Sequence, residues 1–372
     1  MAERVKDIIQ IIENLAPKSA AESWDKVGLQ VGSPQDTIKK VLVCLDVTDD
    51  VMEEAIENEV NLIISHHPFL FKPLKHILKE DSKGKIVYQA IKNNIALYCC
   101  HTNIDVVMGG LNDQVAMKLG LSNIKILQVT GQQEYYKIVV FVPEGYEEKV
   151  ATALAETGAG HIGNYSHCSF RSDGTGTFMP LEGTDPFIGN IGELEKVKEI
   201  RLETIIKKED LSKSLKSMME AHPYEEVAYD VYPLINAEAN RGIGRVGVLD
   251  NPLQLSILIE DVKKILDIDK VKFCGDVNHQ IEKVAVVNGS GADLIFDAIG
   301  AKCDCLITGD LKYHEAQIAL ENGLNVIDAG HFETEALFVD WMVAFLTEGC
   351  KEKGLDIDVI PSNRNINPFQ YL

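Results

Sequence analysis

Three short stretches of this chain end an apolar run in side chains that can bind metal. They are Leu62-Ile63-Ile64-Ser65 followed by His66-His67-Pro68, Ile95 to Cys100 followed by His101 and Asp105, and Val326-Ile327 followed by His331 and Glu335. An apolar run bounded by turn residues reads as a buried strand. Pro68 cannot continue a ladder and biases His67 toward an extended conformation, so both imidazoles are displayed where the strand ends. In open α/β sheets that carboxyl edge is where ligands bind. His331 and Glu335 are four residues apart and share one face of a helix. In a first turn, the positive helix end keeps an imidazole neutral and a carboxylate charged. Imidazoles and carboxylates without thiolates suit Zn²⁺, Fe²⁺ or Mn²⁺. Five or six such groups exceed what one catalytic zinc needs, and two carboxylates can bridge, so a two-metal site is the natural reading. Any one of these histidines alone reads equally well as an ordinary polar residue at a strand end. The three motifs together carry the metal reading.

The elements that must position these groups alternate regularly. Arg4 to Leu15 reads as an amphipathic helix ended by Pro17, Lys40 to Leu45 as a strand, and Asp49 to Asn58 as a helix capped by Thr48. After the double-histidine strand come a helix at Ser82 to Asn93, the strand at Ile95 to Cys100, and a helix at Leu111 to Leu119 stopped by Gly120. This βαβα order predicts a mostly parallel sheet. The texture changes near Gln128. A strand at Tyr135 to Pro143, a helix at Glu147 to Gly158, antiparallel strands across Tyr165 to Met179 and at Val197 to Ile206, a helix at Asp210 to His222 and a strand at Val227 to Leu234 follow. That order reads as a ferredoxin-like unit. From Val246 the α/β alternation resumes and ends in a long helix opening at His331. The expected fold class is therefore α/β: two similar halves, residues 1–127 and 241–372, interrupted by a ferredoxin-like α+β insert at 128–240.

Composition narrows the partners. At 372 residues with 45% hydrophobic and 25% charged residues, the chain has the make-up of a globular protein of two or three domains. No stretch approaches the ~20 apolar residues of a membrane span. Met1 to Leu15 mixes charge and apolar residues at helical spacing, unlike a signal peptide, so a cytoplasmic protein with no membrane partner is expected. The eight cysteines form no C-x-x-C pair, which excludes a zinc knuckle and a thioredoxin-type motif and fits a reducing compartment. A net charge of −21 argues against a nucleic-acid groove, which needs a basic stripe. It leaves room for a small phosphorylated substrate, because a bound metal reverses the local potential.

Weaker signals stand beside these. Gly242-Ile243-Gly244-Arg245-Val246-Gly247 matches G-x-G-x-x-G, but no helix opens from it, so it reads as a flexible return from the insert. Asn288-Gly289-Ser290-Gly291 suits either a phosphate cradle or a tight turn. His314, beside Gly309-Asp310, is a candidate for supporting a metal site from behind, as is His101. His222-Pro223-Tyr224-Glu225-Glu226 reads as a turn before a strand.

Taken together, Trp24-Asp25-Lys26-Val27-Gly28-Leu29-Gln30-Val31-Gly32, Ser65-His66-His67-Pro68, His101-Thr102-Asn103-Ile104-Asp105 and Gly330-His331-Phe332-Glu333-Thr334-Glu335 resemble the NIF-three-like family. Its members are commonly called GTP cyclohydrolase I type II homologues. The resemblance covers both α/β halves. It implies a NIF-three-like fold whose longer members carry a central insert similar to PII signalling and divalent-cation-tolerance proteins. It also implies a dinuclear centre on His66, His67, Asp105, His331 and Glu335, with His101 close by, in a toroidal homohexamer whose metal sites face an enclosed cavity. The function then expected is metal-dependent hydrolysis of a nucleotide or related phosphorylated heterocycle. The alternative is a metal-binding or regulatory scaffold without turnover, since ligation is not catalysis.

Overall fold

A computed structural model describes residues 2–364 and 367–370. The chain forms two compact units, one from residues 1–131 and 240–372 and the other from residues 132–239. Two long strands, Ser122–Pro143 and Tyr229–Gln254, link them along the chain.

The first unit holds two sheets. One has the spatial order Gly28–Val31, Ala96–Cys99, Leu62–Ser65, Lys40–Cys44 and Asp358–Pro361. Its strands pair in parallel except at the edge, where Gly28–Val31 runs antiparallel to Ala96–Cys99. The other has Gln280–Ser290, Cys305–Gly309 and Asn325–Asp328 in parallel, with Lys272–Cys274 antiparallel at one side and residues 245–254 antiparallel at the other. Each sheet thus carries three consecutive parallel strands with helical crossovers between them. The two halves of this unit are not separate bodies. The last strand of the chain, Asp358–Pro361, pairs with Lys40–Cys44 of the first half.

The alternation of strand side chains sorts the core. Val41, Val43, Leu62 and Ile64 from one sheet, and Val284, Val286, Cys305 and Ile307 from the other, face a shared interior. Helices Val5–Leu15, Leu111–Lys118, Leu255–Leu266 and Leu337–Lys353 contribute to it. Leu42, Cys44, Ile63 and Leu97 point the opposite way, under helices Asp49–Glu57 and Ser82–Lys92. On helix Val5–Leu15, Val5, Ile8, Ile11 and Ile12 are buried at the spacing of one face, each stabilising the fold by about 1.5–3 kcal/mol. Helix Asp49–Glu57 starts where Thr48 accepts a hydrogen bond from the Val51 amide, as the sequence predicts.

Several sequence expectations are corrected here. The Gly242–Gly247 segment is no flexible return: it lies inside strand Tyr229–Gln254, with Val246 opposite Ala285. Arg245 anchors it. This fully buried side chain donates to Asp113 at 2.8 Å and to the Val107 carbonyl at 2.6 Å. The long helix opening at His331 is two helices, His331–Glu335 and Leu337–Lys353. No helix among the described residues is long and apolar enough to cross a membrane.

The second unit has its own core, in which Ile138, Val140, Val142, Val150, Leu154, Leu202 and Met218 are buried. Its elements run in the order strand, helix Glu147–Ala155, strand Ser169–Phe178, strand Glu195–Lys207, helix Leu211–Ala221, strand. Ser169–Phe178 and residues 135–143 pair antiparallel on either side of Glu195–Lys207.

Candidate metal centre

The carboxyl ends of the parallel strands bring the sequence motifs together. His66 and His67 leave strand Leu62–Ser65, and His101 leaves Ala96–Cys99 to cap helix Thr102–Val106, which carries Asp105. His331 and Glu335 open and close the short helix after Asn325–Asp328. His66, His67 and His101 each offer an atom within 4.8 Å of the others, and His67, His331 and Glu335 do the same. His101 is therefore part of this cluster of rings. His314 is not: it is exposed on helix Tyr313–Glu321, where its Nδ1 meets Gln317 Oε1 at 3.1 Å.

Glu335 lies at the centre. Its Oε1 is 3.5 Å from His66 Nε2, while its Oε2 is 2.9 Å from His67 Nε2 and 3.2 Å from His331 Nε2. Asp105 Oδ2 approaches His66 Nε2 at 3.8 Å from the other side. These approaches leave His66 Nε2 and Glu335 Oε2 buried without a hydrogen-bond partner, which is costly unless another group completes them.

A second ring of residues fixes the imidazoles. Nδ1 of His66 donates to the Cys100 carbonyl at 3.1 Å, and Nδ1 of His67 donates to Asp46 at 3.0 Å. Nδ1 of His101 donates to Asp25 at 3.0 Å, and Nδ1 of His331 donates to Asp310 at 2.7 Å. Every ring thus turns its Nε2 inward, the arrangement by which proteins orient metal-binding histidines. Asn288 donates to Asp105 at 2.9 Å. Gly289 makes room for the centre: a Cβ there would come within 2.3 Å of Glu335 Oε1. Within Asn288–Gly291, Gly289 is thereby explained by the approach of Glu335, and Gly291 by that of Val287 and Thr308. Sequence reasoning missed Asp25, Asp46 and Asp310. Asp46 and Asp310 follow their strands within two residues, a position as telling as that of the histidines.

Charge within the cluster is strongly coupled. Burial opposes the charge on His67, but Asp46 and Glu335 outweigh it and push its pKa up to about 10. Contact with Glu335 and Asp310 raises His331 to about 9 despite its burial. Burial drives the Asp105 carboxyl up, against the pull of His66 and His101. Burial would raise Glu335 as well, but His66, His331 and His67 hold it well below the usual carboxylate range.

The donor set fits divalent transition ions. Two ligands each about 2.1 Å from a tetrahedral ion lie about 3.4 Å apart, and the separations around Glu335 fall between 2.9 and 3.5 Å. The inward lone pairs, the unpartnered buried atoms and the absence of thiolate point the same way.

Comparison with known proteins agrees with the motif pattern. The family model Duf34/NIF3 (NGG1p interacting factor 3) matches residues 3–368. A Bacillus subtilis protein named GTP cyclohydrolase 1 type 2 homolog is 44% identical over 367 residues, covering 99% of this chain and 98% of the relative. A Bacillus cereus protein related to NIF3 has a crystal structure that superposes with a TM-score of 0.91 at 42% identity, over 100% of both chains. A Staphylococcus aureus protein superposes at 0.83 with 30% identity, over 100% of this chain and 99% of that one.

Proposed function

The chain belongs to the Duf34/NIF3 family, and from that premise we propose that it is a metal-dependent hydrolase of a nucleotide or related phosphorylated heterocycle. The observation that carries this reading is the convergence of three inward-facing histidines, His66, His67 and His331, on Glu335, whose two carboxylate oxygens face different rings, with His101 clustered against His66 and His67. In this reading, His66, Asp105 and Glu335 would hold one ion, with His101 beside them. His67, His331 and Glu335 would hold the other, and His67 also lies within reach of the first group, against His66 and His101. Such ions lower the pKa of a bound water to near neutrality and so supply hydroxide. The residues of the chain do the rest. Asp46, Asp310 and Asp25 keep three rings in the ligating tautomer, and Glu335 ties the two groups together. Trp24, half-exposed with its ring 6.0 Å from that of His101, offers a flat face for a heterocyclic base at the rim.

Metal analysis combined with a turnover screen tests this directly. The protein as purified should carry about two first-row transition ions per chain, as the number of ligands requires. GTP ring opening would release formate and remove the guanine absorbance, whereas a phosphoesterase would release phosphate. Loss of turnover on chelation and recovery with Mn²⁺, Zn²⁺ or Fe²⁺ is the expected result. If no nucleotide or phosphoester turns over above the metal-stripped control, the protein is a metal-binding or regulatory scaffold.

Three wider features belong to the same proposal. Residues 132–239 form a ferredoxin-like insert, a reading supported by their βαββαβ order and separate core. Replacing them with a short Gly/Ser linker should leave metal content intact. The chain assembles as a toroidal homohexamer, supported by large rings at the surface such as Phe296 and Tyr313. Light scattering giving six times the chain mass checks this. The setting is cytoplasmic, as the reduced cysteines suggest.

A further inference from the structure

A cavity of about 560 Å³ lies in the second unit, which contributes none of the proposed metal ligands. That volume is typical of a small-molecule site. Its lining includes stretches the metal chemistry does not use: the Gly/Thr-rich strand around Ser172–Phe178, the loop at Pro186-Phe187-Ile188 and the turn at Tyr224-Glu225-Glu226.

Its walls combine aromatic rings with acid. Phe178 and Phe187 stand around Tyr224 with ring centroids 5.8 and 6.2 Å away. His222 packs against the same ring at 5.0 Å and is fixed from behind, its Nε2 donating to the Phe141 carbonyl at 3.0 Å. Glu199 lines the cavity although it is nine-tenths buried. Its carboxylate takes a hydrogen bond on Oε1, from the Tyr224 hydroxyl at 3.2 Å. Its Oε2 lies directly over Gly176, where a Cβ would come within 2.0 Å, so the strand leaves this space to the carboxylate. Asp173, Glu225 and Glu226 add to the acidic lining, and Arg201 is the basic residue opposing them. The Arg201 side chain is already engaged, with Nε 2.8 Å from Glu203 and the guanidinium over the Phe141 ring. Glu225 is partly engaged by the Asp185 amide at 3.2 Å.

We propose that this cavity binds a small organic cation, an amine or quaternary ammonium carrying an apolar group. Aromatic faces attract a desolvated cation through the ring quadrupole, and a buried carboxylate completes its charge. The acidic excess disfavours anions, which separates this site from one for nucleotides or carboxylic acids. The combination of cage and buried acid is what a neutral apolar ligand would not need.

The probe is benzyltrimethylammonium, titrated into the full-length protein with saturation-transfer NMR and calorimetry, against benzoate and benzyl alcohol as anionic and neutral matches. Saturable binding of the cation at least tenfold tighter than either match is expected. Glu199→Gln, which keeps the shape and removes the charge, should weaken it at least tenfold. Phe187→Ala, at a half-exposed ring, should weaken it several-fold even if Glu199→Gln folds poorly. His67→Ala should leave it unchanged. Equal binding of benzoate, indifference to both cavity variants, or no saturable binding of the cation overturns the proposal. So does a change of oligomer mass in the variants without a change in cation binding, which would make the cavity an interface between copies.

Discussion

The two halves of the first unit each carry three consecutive parallel strands and load the strand ends differently. After its second parallel strand, the first half presents His66 and His67, while the second half presents Gly309 and Asp310. After the third, both present histidine and a carboxylate four residues later, His101 with Asp105 and His331 with Glu335. They are one residue out of step: His101 caps its helix, whereas His331 is the first residue of its own. The first half therefore supplies three rings and the second supplies one ring and the central acid. Asp310, standing where the first half has a histidine, orients His331 instead of joining the cluster. Asp46 does the same for His67 from the end of the first strand. A strand end fixes where a side chain appears, and residue type then decides whether it ligates or orients.

The largest effect should come from the residue that joins the halves. Glu335→Gln should abolish tight binding of both ions, because each oxygen of Glu335 faces a different ring. His67→Ala should come close to it, since His67 belongs to both ligand groups. His331→Ala removes a ligand of one group and should leave about one ion bound, whereas His101→Ala, beside the other group, should cost least. Metal counting on the four purified variants checks this ranking. Equal losses in all four would show that the halves do not divide the ions.

Proton competition should produce the next largest effect. In the metal-free protein His67 titrates at about 10 and His331 at about 9, so both are protonated at neutral pH. Binding must expel those protons, and affinity therefore rises with pH. Two expelled protons correspond to about 100-fold per pH unit in the neutral range. The slope should fall to one proton above about 9 and flatten above about 10. Competition with a metal buffer from pH 6 upward, with proton release measured by calorimetry in buffers of different ionisation heat, gives the slope. A flat profile would mean that the rings are already neutral.

Much of this was legible in the sequence. Histidines, Asp105 and Glu335 at strand ends are rare enough in type and regular enough in place to be read directly, and the double-histidine turn needed only Pro68 to locate it. The orienting acids were harder, because Asp25, Asp46 and Asp310 are ordinary turn residues until a ring is seen against them. The pairing of Asp358–Pro361 with Lys40–Cys44 escaped notice because a four-residue strand carries little pattern and its partner is more than 300 residues away. Lys272–Cys274, three residues at a sheet edge, escaped for the same reason. The Gly242–Gly247 segment misled through its glycines, whereas its structure is decided by Arg245 and Asp113, a buried pair whose rupture costs about 3–5 kcal/mol.

A smaller effect tests the roles of the two orienting acids. Asp310→Asn and Asp46→Asn keep shape and remove charge, leaving a carboxamide oxygen that can still accept from Nδ1. Each should lower metal affinity by about 10- to 100-fold, as loss of such partners generally does, without changing the number of ions at saturation. Asp46 acts on a ring shared by both groups and Asp310 on a ring of one group, so Asp46→Asn should weaken both ions and Asp310→Asn one. If either variant loses an ion outright at saturating metal, its carboxylate is a ligand, and the division between ligating and orienting strand ends fails there.

The smallest effect on the metal is expected at Trp24, which belongs to the first half alone. Its ring is edge-on to His101 at 6.0 Å and to Phe71 at 6.2 Å, and over half of the residue is exposed. A base stacked on it gains about 1–3 kcal/mol, so Trp24→Ala should weaken nucleotide binding by roughly 5- to 150-fold. Metal content should not change, because the side chain offers no ligand atom. The chain has two tryptophans, and Trp341 is stacked on Phe345 away from the motif. Quenching of Trp24 fluorescence by added GTP therefore reports binding without turnover, and Trp341→Phe should preserve that quenching while Trp24→Phe removes it. Quenching that survives in Trp24→Phe would place the base elsewhere. The aromatic rim would then have to be explained by contact with another copy of the chain, which a mass measurement on Trp24→Ala would reveal.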